Sequence, residues 1–218
     1  MNKLLTIKNF IKFTIGYIFI SVSIFLMLRI CVQYTTFEDN IAFLKLKQEY
    51  TNNFIWKSAF YIHVFTSTFC LFAGLTQFSK TLINQVPKIH RTLGNIYFFN
   101  IVCINFPVCI IMSYYANGLL PSKIAFSTLN ILWMWFTLKA ILCIKKGKIV
   151  NHKKFMIRSF ALTLSAISLR TWNILFVNFS NFDSLTIYMI IAWLGFVPNL
   201  IMAEIYIFIN NLHVKNRE

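Results

Sequence analysis

The sequence has few charged residues and very few acidic ones. Only 12% of its 218 residues are charged, six are Asp or Glu against 21 Lys or Arg, and 58% are hydrophobic. A soluble domain of this length needs more polar surface, so the composition excludes that class and is typical of a polytopic membrane protein. The net charge of +15 does not predict a nucleic-acid partner, because the basic residues lie between apolar runs rather than on a folded basic face.

Glycine and cysteine are also scarce. With six Gly the chain contains no glycine-rich phosphate-binding loop, which excludes the common nucleotide-hydrolysing motifs. The five cysteines are odd in number, lie in apolar runs and include no CxxC pair: Cys31, Cys70, Cys103, Cys109 and Cys143. This pattern predicts neither a disulfide framework nor a metal site built from cysteine. No Ser/His/Asp set indicates a catalytic residue either.

Long apolar runs are what the sequence has in abundance. Six of them can each cross the roughly 30 Å hydrocarbon core at 1.5 Å per residue. The first is too long for a signal peptide and is followed by no small-residue cleavage site. The runs cover about residues 13–31, 58–78, 93–115, 124–144, 155–179 and 185–210. We therefore predict an all-α fold in which residues 1–218 form a single integral membrane domain of six transmembrane helices.

The distribution of basic residues predicts the orientation of these helices. With a cytoplasmic N-terminus, that side receives 14 of the 21 Lys and Arg residues, and the outer loops keep only Lys45, Lys47, Lys57 and Lys123. The positive-inside rule then places both termini in the cytoplasm. In the longest outer loop, about residues 32–57, the sequence predicts a short surface helix around 41–50.

Two prolines lie inside predicted spans. Pro107 and Pro198 are expected to kink the third and sixth helices, because proline removes a backbone donor from the helical ladder. Asn105 and Asn199 lie beside them and can satisfy backbone groups that the kinks leave free.

Ionisable residues form an inner group near the cytoplasmic side: His90, Lys139, His152, Arg158 and Glu204. Glu204 is the only acidic residue in any predicted span, so in its ionised form it needs a nearby cation. Arg158 is the first candidate partner and Lys139 the second. Two interpretations remain open, an ion pair that fixes helix packing and a proton or substrate site.

A second group lies in the outer half of the membrane. His63 and Arg170 fall at similar depths in the second and fifth spans, and Ser159, Thr163 and Ala166 precede Arg170 at helical spacing. Such a stripe of small residues suits a seam between helices. His63 and Arg170 could then line an outward-facing ligand pocket. Alternatively, Arg170 bonds only to backbone carbonyls.

His90 and His152 each stand where an outward-running helix begins. Two neutral imidazoles from different helices can ligate one haem iron, and helix bundles commonly hold cofactors between facing side chains. This makes His90 and His152 candidate ligands of a haem b. Alternatively, both are solvated or face phosphates, because each is next to Arg or Lys. Only His63 remains within the membrane, so a second haem of this kind has no ligands.

Several motifs resemble one known family. They are His63 with Gly74 and Gln77-Phe78, His90-Arg91-x-x-Gly94-x-x-Tyr97, His152-x-x-x-Met156-Ile157-Arg158 through Leu169-Arg170, Ala192-Trp193, and Pro198-Asn199-Leu200-x-x-Glu204. Over about residues 58–206 the chain is similar to the bacterial integral membrane proteins known as domain of unknown function 2306. It departs from them at Phe155, where Trp is expected, and at Asn95, where Arg is usual. The resemblance implies a multi-helix fold in a bacterial cytoplasmic membrane and implies no activity.

The sequence thus predicts a membrane protein with a polar site inside a lipid bilayer. Three functions remain open at this point. The first is a haem-binding redox component that uses His90 and His152. The second is a carrier of protons or small solutes, and the third is a structural membrane subunit. The carrier would use His63, Arg158, Arg170 and Glu204.

Overall fold

The computed structural model describes Thr14, Ile18 and residues 21–215. This part of the chain contains helices and no strand, in agreement with the predicted all-α class. The chain divides into two compact units, Met1–Glu49 and Tyr50–Glu218.

The first unit contains helix α1, Ser21–Thr36. Its last turn has 3-10 geometry, and the Tyr34 hydroxyl accepts a hydrogen bond from the backbone N–H of Phe43 at 3.2 Å. A 3-10 segment, Ala42–Tyr50, lies where the sequence predicted a short surface helix, but it is broken by a kink at Lys47 and buries Leu44 and Lys47. The predicted first span, residues 13–31, includes positions outside the described residues, and α1 covers its second half. A sixth membrane crossing therefore stays a prediction.

The second unit contains the remaining helices. They are α2 (Phe54–Thr76), α3 (Lys80–Gln85), α4 (Pro87–Phe99), a π-helical segment (Asn100–Asn105), α5 (Phe106–Tyr114), α6 (Leu119–Lys145), α7 (Ile149–Thr163), α8 (Ser165–Phe179), α9 (Ser184–Leu194) and α10 (Val197–Lys215). Five continuous stretches are long and apolar enough to cross a membrane: Phe54–Thr76, Pro87–Tyr114, Leu119–Lys145, Ile149–Phe179 and Ser184–Asn211. These correspond to predicted spans two to six.

Short polar side chains define several helix starts. The Asn53 side chain accepts from the N–H of Trp56 at the start of α2, and Asp183 accepts from the N–H groups of Leu185 and Thr186 at the start of α9. Each satisfies N–H groups that the first helical turn leaves without a partner. Pro87 occupies the first turn of α4, where its missing N–H costs nothing.

The helices of the second unit form a four-membered bundle with a flanking pair. Helix α2 packs against α4, α5 and α7, while α6 packs against α5 and α7. Helix α4 therefore lies diagonally opposite α7. Helix α9 packs on α6 and α8, and α10 packs on α7. Because short loops join α5 to α6 and α6 to α7, the α4–α5 and α7–α8 stretches run parallel to each other.

Close packing holds this bundle together. Lipid tails are as apolar as the core side chains, so helices associate through van der Waals contact and hydrogen bonds rather than through transfer from water. The contact of α2 with α7 is especially tight, since a Cβ on Gly74 would lie 2.6 Å from the Phe160 ring. The core cluster consists of Cys70, Ala73, Tyr97, Ile101, Ala125, Trp133, Ala140, Met156, Leu162, Ala192 and Phe196.

Both predicted proline sites interrupt a helix. The π-helical segment ends just before Pro107, and the amide of Asn105 donates to the backbone carbonyl of Asn100 at 3.2 Å. Helix α9 ends before Pro198, and the amide of Asn199 donates to the carbonyl of Gly195 at 3.4 Å. Each asparagine thus bonds a backbone carbonyl close to its proline, but not the one four residues before it, so its role in satisfying groups freed by the kink stays a prediction.

Candidate functional site

Helix α4 meets α7 through one buried tyrosine. The Tyr97 hydroxyl lies 2.8 Å from Ser159 Oγ and 2.8 Å from Thr163 Oγ1. All three residues are buried. The seam predicted for Ser159 and Thr163 is therefore present, and Tyr97 fills it from the diagonal helix.

Helix α6 completes this group. Trp133 Nε1 donates to Thr163 Oγ1 at 3.0 Å, and Thr137 Oγ1 lies 2.7 Å from Ser159 Oγ. We call Tyr97, Trp133, Thr137, Ser159 and Thr163 the hydroxyl cluster. Its members satisfy one another inside the bundle, which makes them suited to joining three helices.

The hydroxyl cluster also fixes how two histidines are placed. His90 precedes Tyr97 by seven residues, and His152 precedes Ser159 by seven. Seven residues are about two helical turns, or about 10.5 Å, so each histidine lies on the same helix face as its cluster residue. Because α4 and α7 run parallel, this register brings His90 and His152 to the same end of the bundle, the one predicted to be cytoplasmic.

The surroundings of this imidazole pair, His90 and His152, differ from ring to ring. His152 Nδ1 lies 2.9 Å from the carbonyl oxygen of Ala140. A carbonyl only accepts, so Nδ1 carries a proton, and in a neutral ring the lone pair then lies on Nε2. His90 Nδ1 is buried and has no hydrogen-bond partner among the described residues. The hydrogen bond therefore fixes the orientation of the His152 ring, whereas Nδ1 of His90 is left without a hydrogen-bond partner among the described residues.

The imidazole pair meets some requirements of a bis-histidine haem site and misses one. A ligating histidine normally donates its second ring N–H to a carbonyl or carboxylate, as His152 does to Ala140. His90 has no such acceptor. The described residues contain no group of three or more His, Cys, Asp or Glu side chains that could hold a bare ion. Two imidazoles suffice only for a metal whose other ligands come from a macrocycle.

A second polar group surrounds His63 in the half of the bundle predicted to be the outer one. His63 Nδ1 donates to Asn105 Oδ1 at 2.9 Å, and Cys109 Sγ lies 3.1 Å from the same nitrogen. The Asn105 amide donates to Asn100 Oδ1 at 2.7 Å and to Thr66 Oγ1 at 3.2 Å. The π-helical segment carries both asparagines, and such segments occur frequently at functional sites.

Arg170 lies near this group and reaches a backbone carbonyl. Its guanidinium donates to the Ala166 carbonyl at 2.8 Å, and it interacts electrostatically with His63. Of the two arrangements considered from the sequence, the hydrogen bond to a backbone carbonyl is present, and the ligand pocket lined by His63 and Arg170 stays a prediction. Arg170 is exposed rather than enclosed in a seam.

The inner ionisable residues form a pair and a separate contact. Arg158 binds Glu204 through two hydrogen bonds of 2.5 and 2.8 Å, which confirms the first partner expected for Glu204. The guanidinium also lies over the ring of Phe155, at 5.3 Å. Lys139 stacks instead over Trp135, at 4.5 Å from the ring centroid. The ion pair joins α7 to α10 and so has an evident role in packing.

The model of a family described as predicted membrane protein (DUF2306) matches residues 60–207. The chain belongs to this family. No curated protein and no solved structure shows significant similarity to it. The DUF2306 match contains the hydroxyl cluster, the imidazole pair, the His63 group and the ion pair, and it confirms the resemblance carried by the motifs. The protein is therefore a multi-pass membrane protein of the DUF2306 family.

Some polar residues of this DUF2306 protein escaped the sequence-based reasoning. Trp133 and Thr137 were not singled out, although their spacing of four residues places both on one face of α6. Asn100 was also missed. Its position five residues before Asn105 becomes informative only once the π-helical geometry is known.

Proposed function

We propose that the protein is a membrane electron carrier that holds one b-type haem between His90 and His152. The observation that carries this proposal is the register of α4 and α7, which brings histidines from two diagonal helices to the same level of the bundle, with His152 Nδ1 bonded to the Ala140 carbonyl. Four-helix bundles commonly hold cofactors in this way, between facing side chains of their core.

The residues around the pair have defined tasks under this proposal. His152 offers Nε2 as a ligand, and Ala140 fixes the ring and its tautomer through the 2.9 Å hydrogen bond. His90 offers the opposite ligand. Arg91 and Lys153 adjoin the two histidines and supply positive charge for the carboxylates of a haem. A bound haem supplies reversible one-electron chemistry at its iron.

The visible spectrum of protein purified from haem-replete cells tests this function. We expect a Soret band that shifts on reduction with dithionite and that His90→Ala and His152→Ala each abolish. His63→Ala is the matched control, because it removes a histidine of the second unit outside the pair and should leave the band in place. Colourless wild-type protein, or a band that survives both pair variants, would refute haem binding.

The His63 group favours a second candidate function, a carrier of protons or small solutes. The observation behind it is a histidine within a span whose Nδ1 is held by Asn105 and whose neighbour is the cationic Arg170. Intramembrane ionisable residues commonly mark proton or solute pathways. In liposomes with an internal pH dye, His63→Gln should abolish acidification, while Asn173→Gln, at an exposed position of α8, should leave it unchanged. Equal fluxes in protein-free liposomes and in wild type would sink this candidate.

We further infer that the protein lies in a bacterial cytoplasmic membrane with six crossings and both termini inside. The basic residues of the connecting segments support this orientation through the positive-inside rule. Reporter fusions after Asn53, Gln85, Asn117, Gly147 and Phe182 test it. Cytoplasmic activity is expected at Gln85 and Gly147 only, and any other pattern contradicts the orientation.

A further inference from the structure

The hydrogen bonds between α2 and the π-helical segment have a fixed direction. They end at the Thr66 backbone carbonyl, which can only accept. The Asn100 side chain lies 2.8 Å from this carbonyl oxygen, so the atom nearest to it is the amide nitrogen, and Asn100 Oδ1 points elsewhere. Asn100 Oδ1 in turn lies 2.7 Å from the side chain of Asn105, which must present its own amide nitrogen there. One backbone carbonyl thus determines the orientation of two amides.

Two further acceptors fix Asn105 in the same orientation. Its Nδ2 lies 3.2 Å from the backbone carbonyl oxygen of Asn100 and 3.2 Å from Thr66 Oγ1. The Thr66 hydroxyl already donates to the Ile62 carbonyl at 2.6 Å, so Oγ1 acts as an acceptor toward Asn105. Asn105 and Asn100 are 0% and 6% exposed. Rotating the Asn105 amide by half a turn would place its oxygen among three acceptors in a buried site, which is costly.

The Asn105 oxygen therefore faces His63 and determines which ring nitrogen carries the proton. Oδ1 lies 2.9 Å from His63 Nδ1, and an amide oxygen only accepts. Nδ1 is therefore protonated, and in the neutral ring the lone pair lies on Nε2. The amides cannot pass a proton onward from Nδ1, because their hydrogen bonds end at a backbone carbonyl. A second proton can thus bind to the neutral ring only at Nε2.

The same tautomer rules out a nucleophile made from Cys109 and His63. Cys109 Sγ lies 3.1 Å from His63 Nδ1, a distance at which an imidazole can activate a thiol by taking its proton. Such activation needs a lone pair on the nitrogen next to the sulfur. Nδ1 has none, because it donates its proton to Asn105. The acid–base chemistry of His63 is therefore on the other side of the ring.

We infer that Asn105, oriented by Asn100, is a positioning residue that keeps His63 in the Nδ1–H tautomer and makes Nε2 the atom that exchanges protons. The role of Nε2 in transport rests on the proposed carrier function, whereas the tautomer does not. A proton from water binds to Nε2 and gives an imidazolium, and its release to water restores the neutral ring. Nδ1 keeps its own proton throughout.

Nitrogen NMR of the full chain, labelled with ¹⁵N-histidine and held in phosphatidylcholine nanodiscs, measures this tautomer directly. The signals of His63 are those that His63→Gln removes. At about pH 8, where an ordinary histidine is neutral, wild-type protein should show a protonated Nδ1 and an unprotonated Nε2. A proton on Nε2 under these conditions would overturn the inference.

Asn105→Leu tests whether the amide determines the tautomer. Leucine has a similar size but offers no acceptor to Nδ1. The ratio of the Nδ1–H form to the Nε2–H form should therefore fall about tenfold, the value of one hydrogen bond of about 1.4 kcal/mol. Asn173→Leu makes the same change at an exposed asparagine of α8 and should leave the ratio unchanged. An equal ratio in wild type and Asn105→Leu would overturn the positioning role of Asn105.

Proton flux into liposomes separates the tautomer from the carrier function. Asn105→Leu should reduce the flux that depends on His63 about tenfold, in step with the tautomer ratio, and Asn173→Leu should leave it unchanged. Full flux in Asn105→Leu despite a changed ratio would overturn the assignment of Nε2. Unchanged flux in His63→Gln would refute the carrier function and the exchange at Nε2 together, while the NMR result would still decide the role of Asn105.

Discussion

The Tyr97 hydroxyl lies 2.8 Å from Ser159 Oγ, which joins α4 directly to α7 across the bundle. This contact and the bond from Tyr97 to Thr163 reflect the register of the two parallel helices. The same register brings His90 and His152 to one level two turns away, at the end predicted to be cytoplasmic. The contact of Tyr97 with Ser159 and the placement of the two histidines therefore both follow from how α4 lies relative to α7.

Removing the Tyr97 hydroxyl should weaken the bundle. Tyr97→Phe deletes both hydrogen bonds from α4 to α7 but keeps the ring, and Thr137 still bonds to Ser159. We expect a loss of about 1 kcal/mol in the free energy of unfolding, the usual value for hydrogen bonds between membrane helices. Equilibrium unfolding in detergent micelles, followed by circular dichroism, measures it.

Tyr206→Phe provides the control for this change. Tyr206 is exposed on α10, so losing its hydroxyl should leave the free energy of unfolding unchanged. A loss of equal size in the two variants would show that the contact between Tyr97 and Ser159 contributes nothing specific.

Gly74 should not tolerate a side chain. A Cβ there would lie 2.6 Å from the Phe160 ring and 3.1 Å from the Tyr97 ring. Alanine favours a helix by up to about 1 kcal/mol over glycine, but overpacking costs about 1–3 kcal/mol. We therefore expect Gly74→Ala to destabilise the protein, as measured by unfolding in detergent.

Repeating Gly74→Ala in a Phe160→Leu background tests whether the clash with the Phe160 ring causes the destabilisation. A leucine at this position lacks the ring atoms that meet the new methyl group, so Gly74→Ala should cost less there than in wild type. An identical cost in the two backgrounds would mean that the clash with Phe160 is not responsible.

Apolar runs predicted the spans well, but the helices begin earlier than the runs. The second predicted span begins at residue 58 and the helix at Phe54, while the third begins at 93 and the helix stretch at Pro87. Hydropathy follows the limits of the hydrocarbon, whereas capping groups such as Asn53 define the helix start. Hydropathy therefore does not predict the polar first turns of these helices.

The partner of an ionisable side chain could be predicted where the sequence offers few oppositely charged or aromatic residues nearby. Glu204 is the only acidic residue in its part of the membrane, so a cation had to lie beside it, and Arg158 does. Lys139 had a local alternative four residues away, the ring of Trp135, and takes it.

The His63 group could not be derived in the same way. Its hydrogen bonds depend on α2 lying beside the π-helical segment, and on the extra residue that this segment inserts before Pro107. Apolar periodicity does not specify which helices become neighbours. Depth alone therefore suggested only that His63 and Arg170 line one pocket, whereas the hydrogen bond to His63 comes from Asn105.

The cap of α9 should make stability depend on pH. Hydrogen bonds from the side chain and backbone of Thr186 hold the pKa of Asp183 below its ordinary value. A lowered folded-state pKa means that the cap stabilises the protein fully above about pH 4, the ordinary range for Asp, and that this contribution disappears as pH falls through the lowered value.

Unfolding midpoints of wild type and Asp183→Ala across this range test the effect. The difference between them should be largest near neutral pH and shrink on acidification. A difference that stays constant with pH would show that the carboxylate charge is irrelevant to the cap.

The ion pair of Arg158 and Glu204 should behave as a unit. The side chains are 20% and 48% exposed in the chain, and in a span this exposure faces lipid. Arg158→Met leaves the Glu204 charge without its partner and Glu204→Gln does the same to Arg158, so each single change should destabilise the protein in detergent unfolding. Arg158→Met/Glu204→Gln removes both charges and should recover most of the loss, with a coupling of about 1 kcal/mol. Additive losses would mean that the bidentate contact does not join α7 to α10 energetically.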